Sequence, residues 1–139
     1  MTATVPGEET ELAVTPDKVF GLEFLDIGRR NYFALEADRS TMPIERPSLT
    51  QSSFKKKLLT YHHGHEARHH SKLWGIPGFR VLTITKSAER VASMIEALKS
   101  ITRGKGSNVF LFTDVGLLSR QHPLSAQWLT GKGEVTLLV

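Results

Sequence analysis

The sequence predicts an α/β fold: a mixed β-sheet in which a hairpin is followed by helix, strand, helix and strand, with helices on its flanks. Three observations predict it. Two segments rich in aromatic and branched residues, Lys18 to Leu25 and Tyr32 to Ala37, bracket the turn-forming run DIGRRN, which reads as an antiparallel hairpin. Two apolar runs, FRVLTIT from Phe79 and NVFLFT from Asn108, have the composition of strands covered on both faces. Between them Val91, Met94, Ile95 and Leu98 recur at helical spacing, so the three segments read as a βαβ crossover.

In chain order, Met1 to Glu11 is polar and acidic and is expected to form a flexible arm. It lacks the basic-then-apolar pattern of a signal peptide. A single domain is expected from residue 12 to residue 139. After the hairpin, Arg39 to Pro47 carries two prolines and reads as a loop. Ser48 is the expected N-cap of a helix from about Leu49 to Trp74, loosened at Gly64, with Leu49, Phe54, Leu58 and Tyr61 on its apolar face. Gly75 to Gly78 (GIPG) ends it. Ser87 is expected to cap the crossover helix, which runs to Ile101. RGKGSN, with Gly104 and Gly106, follows a helix and precedes a strand, the reverse of a phosphate loop, and reads as a turn. Beyond Asp114 a short helix or loop leads to a turn at Gly131 to Gly133 and a last strand.

Composition narrows the function classes. The 139 residues are 40% apolar, enough for one buried core. No apolar stretch approaches the roughly eighteen residues of a membrane span, and no membrane contact is expected. Without cysteine there is neither a disulfide framework nor a thiolate metal site; a cytoplasmic location is expected. The net charge is +4 but unevenly placed. Lys55, Lys56, Lys57, Arg68 and Lys72 face Glu66 alone in a stretch that also holds His62, His63, His65, His69 and His70. Such a surface attracts phosphates, although an ordinary solvated helix face has the same composition.

Acidic residues gather at the hairpin. Asp17 lies near the start of its first strand; Glu36 and Asp38 lie two apart near the end of the second, and so share a face. Converging carboxylates suit Mg²⁺ or Mn²⁺. Read on spacing alone, the same residues are an ordinary polar strand end.

The runs NYFALEADRST, FKKKLLTY, PGFRVLTITKSAER, NVFLFTD and QWLTGKG, in that order, resemble the replication-relaxation family, over about Leu12 to the C-terminus. That family is associated with plasmid replication and maintenance. The resemblance implies a restriction-endonuclease-like fold of the PD-(D/E)xK type. Pro16-Asp17 looks like the PD element and Glu36 takes the (D/E) place. Asp38 stands where the triplet would carry lysine, and Lys57, on the following helix, looks like the lysine used in its stead. Family members also usually carry a winged-helix region upstream, for which eleven polar residues are too few.

What the resemblance implies is a Mg²⁺- or Mn²⁺-dependent DNA endonuclease or nicking domain. Asp17, Glu36 and Asp38 would hold the metal and, with Lys57, form the catalytic set. Arg39, Lys55, Lys56, Tyr61 and Arg68 are the expected DNA contacts. DNA is the expected partner, and a homodimer is left open. One alternative is a non-catalytic DNA-binding or dimerisation module. Another is a zinc peptidase, since HEARH matches H-E-x-x-H, with His65 and His69 as ligands and Glu66 as base. Arg68 within that segment and Gly64 ahead of it argue against a zincin.

Overall fold

The computed structural model describes residues 1–4, 11–39, 42–44 and 53–138. Two short strands, β1 (Thr2–Thr4) and β2 (Glu11–Ala13), pair antiparallel. The hairpin follows as β3 (Lys18–Phe24) and β4 (Arg29–Ala37). Next come α1 (Phe54–Glu66), α2 (His69–Trp74), β5 (Arg80–Thr85), α3 (Ala88–Ile101), β6 (Phe110–Asp114) and α4 (Val115–Arg120). A terminal hairpin, β7 (Trp128–Thr130) and β8 (Val135–Thr136), completes the chain.

Strands β3 to β8 form one six-stranded mixed sheet in sequential order. The hairpin and the crossover stand as expected: β3 pairs antiparallel with β4, and β5 pairs parallel with β6 across α3. Strand β4 also runs parallel to β5, so α1 and α2 lie in a second crossover. Three strands, β4, β5 and β6, therefore end at the same sheet edge, and that edge carries Glu36, Asp38, Thr85 and Asp114.

Each face carries an apolar cluster. On one, Ala34, Val81, Phe110 and Phe112 meet Phe54, Leu58 and Tyr61 of α1 and Val91, Met94 and Leu98 of α3. On the other, Phe33, Leu82, Leu111 and Trp128 form a second cluster with Leu138, joined by Leu118 of α4. Each such large side chain contributes about 1.5–3 kcal/mol on burial. No helix among the described residues is long and apolar enough to cross a membrane.

Two sequence expectations change. The arm expected over residues 1–11 is not free at its start. Ala3 and Leu12 are buried as a register pair, and the Met1 amino group donates to the Val14 carbonyl at 2.7 Å. The reason is local: small or apolar residues alternate with threonine there, so one face of the β1–β2 ribbon packs against α1. The expected long helix is also divided. Its N-cap is Ser53, whose Oγ accepts from the Lys56 amide at 3.1 Å; Ser48 and Leu49 lie outside the described residues. The helix stops at Glu66, because Arg68 adopts φ 57 in the left-handed region, and α2 starts afresh at His69.

The β7–β8 turn is tightly seated. The Gly131 amide donates to the Phe110 carbonyl at 2.8 Å, and a Cβ there would run into Leu98 Cδ2 and the Ser107 carbonyl. Backbone cannot yield as a side-chain tip does. Gly131→Ala is expected to lower stability by about 2–3 kcal/mol, read as a fall in the urea midpoint, with the exposed Lys132→Ala as an unaffected control.

Candidate functional site at the strand ends

Glu36 is the centre of this edge. It ends β4 on the α1 face, and only 1% of it is exposed. Its Oε1 accepts from the Tyr61 hydroxyl at 2.6 Å and its Oε2 receives the Lys57 ammonium at 3.0 Å. Lys57 and Tyr61 are four apart on α1 and so project from one helical face. A carboxylate buried this deeply is tolerated only when paired and hydrogen-bonded. Burial, then the charges of Glu36 and Asp17, hold the Tyr61 hydroxyl far above its ordinary pKa. Tyr61 thus donates a proton that it does not release.

Asp17 lies in a bend just ahead of β3. Its amide donates to the Leu35 carbonyl at 3.0 Å, and its Oδ2 accepts from the Ala37 amide at 2.8 Å. Its carboxylate therefore sits beside the Glu36–Ala37 peptide, exposed where Glu36 is buried. The structure brings together Asp17, Glu36, Lys57 and Tyr61.

Asp38 does not join them. Arg90 Nε reaches its Oδ2 at 2.6 Å and Arg90 Nη2 its Oδ1 at 3.1 Å, a two-pronged contact, and the Thr85 hydroxyl donates to Oδ2 at 2.6 Å. Arg90 Nη2 also donates to the Met42 carbonyl at 2.6 Å. Two residues past Glu36 the strand has ended, and the side chain turns to α3 instead of α1. The expected three-acid metal site is corrected accordingly. Among the described residues, Asp17, Glu36 and Asp38 form no group of three ligand atoms within 4.8 Å of one another. What remains are Asp17 and Glu36, and both oxygens of Glu36 are engaged by Tyr61 and Lys57.

The expected DNA contacts divide. Arg39 is exposed just beyond β4. Lys55 and Lys56 stand half-buried in the first turn of α1. Arg68 is exposed at the far end of that helix. Tyr61 is 1% exposed with its hydroxyl on Glu36, so it is a core residue and not a DNA contact. Asp114 accepts from the Leu117 amide at 3.0 Å and caps α4.

The zinc peptidase arrangement is overturned. The break at Ala67 and Arg68 puts His65 and His69 on different helices. His65 stacks on His70 at 5.3 Å, and His69 Nδ1 contacts the Thr2 carbonyl at 2.6 Å. Burial lowers the pKa of His65, with His70 adding to it; burial also lowers that of His62, with His63 adding and Glu66 opposing.

Arg90 was not singled out from the sequence. Its signal was there: a cation at the third position of a helix opposes the macrodipole, which points to a tertiary carboxylate. A cavity of ≈ 630 Å³ lies at the other end of the sheet, lined by Arg29, Arg30, Arg80 and Asn108 among others. Arg29 and Glu36 are separated by roughly 23 Å of strand, so this cavity is no part of the acidic edge. No protein-family model, no curated protein and no solved structure matches the chain.

Two outcomes follow from these contacts. Arg90→Ala removes the guanidinium from a nearly buried Asp38 and is expected to destabilise by about 3 kcal/mol, measured by urea unfolding. For pH, folding keeps Tyr61 protonated, so its contribution is complete below about pH 10 and is lost as the pH rises from there. Folding keeps His62 and His65 neutral, so theirs is present above about pH 6.5 and falls away as the pH drops through their lowered folded values. Urea midpoints measured across pH in chelator should therefore decline at both ends. Tyr61→Phe should flatten the alkaline limb, and His62→Gln with His65→Gln the acid limb.

Proposed function

We propose that this chain is a restriction-endonuclease-like domain, of the kind the replication-relaxation resemblance implies, that cleaves or nicks DNA with Mg²⁺ or Mn²⁺ in plasmid or mobile-element replication and maintenance. The observation that carries the reading is Lys57 at 3.0 Å from the buried Glu36, with Asp17 bonded to the next peptide. A hairpin could end on any polar residues for stability alone. Here the Asp17 carboxylate accepts from the Ala37 amide, which sets a second acid next to the Glu36–Ala37 peptide.

In this reading Asp17 and Glu36 hold the cation, which when bound would lower the pKa of water and offset charge on the phosphate. Lys57 orients the attacking water and faces the developing negative charge. Tyr61 fixes the Glu36 carboxylate in place from beneath. Asp38, Thr85 and Arg90 hold the strand end rigid and touch neither metal nor substrate. Arg39, Lys55 and Lys56 meet backbone phosphates around the edge, and Arg68 extends the basic surface. A chain without cysteine suits a reducing, cytoplasmic setting.

A second reading has one observation in its favour. Both Glu36 oxygens are already engaged, by Tyr61 and Lys57, as they would be in a DNA-binding or dimerisation module that keeps the fold without the chemistry.

Plasmid cleavage with Mg²⁺ or Mn²⁺ separates the two. Cleavage by the wild-type chain should fall by about a hundredfold or more in Asp17→Asn, Glu36→Gln and Lys57→Met. Equal activity in these variants and in wild type removes the assignment. Salt-sensitive DNA binding without cleavage in either metal selects the second reading.

A further inference from the structure

The last turn of α1 carries a second cluster. His62 and Glu66 are four apart and His63 and Glu66 three apart, so all three overhang the same turn. One ligand atom from each lies within 4.8 Å of the other two. The His62 Nε2–Glu66 Oε1 separation is 3.5 Å and the His63 Nδ1–Glu66 Oε2 separation is 3.9 Å. Both are too long for hydrogen bonds of this kind. The shorter is near the edge of a tetrahedron around a zinc ion with bonds of about 2.1 Å, where neighbouring ligands stand about 3.4 Å apart; the longer ends on the other carboxylate oxygen.

The geometry points to a transition-metal site at His62, His63 and Glu66, taking Zn²⁺ with a fourth position open to water. Two imidazoles and one carboxylate favour zinc over Mg²⁺, which prefers oxygen. The two histidines are half-buried and held on a helix that packs against the core, so little ordering is needed when the ion arrives. His65 and His69 take no part, since one stacks on His70 and the other meets the Thr2 carbonyl. The site is separate from the Asp17–Glu36 pair and holds whether or not that pair supports cleavage. Lys57 and Glu66 are about 13 Å apart along α1. Zinc here would tie down the helix just before its break at Arg68.

Calorimetric titration of the metal-free full chain with Zn²⁺ near neutral pH tests this. One zinc per chain is expected, and Co²⁺ in its place should show the strong visible absorption of a four-coordinate site. His62→Ala and Glu66→Gln should each weaken zinc binding by more than about tenfold, whereas His65→Ala with His69→Ala should leave it unchanged. Glu66 is exposed, so Glu66→Gln preserves the fold, and unchanged far-UV circular dichroism verifies this. Absence of stoichiometric binding overturns the proposal. So does binding that survives Glu66→Gln, or that is lost only with His65 and His69.

Discussion

Glu36 brings a negative charge to the inner surface of the sheet, and the arrangement around it follows from keeping that charge there. An isolated buried carboxylate loses far more hydration than the interior returns. Helix α1 supplies both compensations, an ammonium from Lys57 and a hydroxyl from Tyr61. These contacts set the height of α1 along β4 as well as its rotation, because residues four apart must reach one carboxylate from one face. The apolar contacts of Phe54, Leu58 and Tyr61 then fall over Ala34 and Val81. Polar and apolar demands on the helix agree.

The end of β4 is joined to both helices of that face. Glu36 engages α1, and Asp38, two residues on, engages α3 through Arg90. The Thr85 hydroxyl and the Met42 carbonyl complete the Asp38–Arg90 cluster, so the loop leaving β4 and the end of β5 are drawn into it. Two acids that look equivalent in sequence thus have different work. One takes the ammonium and the hydroxyl that α1 presents. The other fixes the junction on which that arrangement rests.

The histidine-rich stretch is separated in a comparable way. A left-handed Arg68 ends one helix before the next begins, and the imidazoles go to different surroundings. His70 is buried, in contact with Phe79 and His65. His69 reaches back to β1. His62 and His63 remain beside Glu66. The spacing of H-E-x-x-H carries a meaning only on an unbroken helix, and residues four apart share a face only where the turns between them exist.

Sequence alone determined the element types: the β3–β4 hairpin, the strands β5 and β6, the helix between them and its Ser87 cap. Those features depend on periodicity, turn residues and capping over a few neighbouring positions, which are local interactions. It also brought forward Asp17, Glu36 and Lys57, through the family resemblance and not through spacing, which reads equally as a polar strand end. Only the tertiary structure decided that Asp38 belongs to Arg90, that Tyr61 faces inward, that Thr2–Thr4 pair with Glu11–Ala13, and that the long helix breaks at Arg68. Each of those outcomes is a choice among partners distant in sequence. Such a choice rests on which oxygen a cation or hydroxyl can reach once the sheet and helices have packed, and no local pattern encodes that distance.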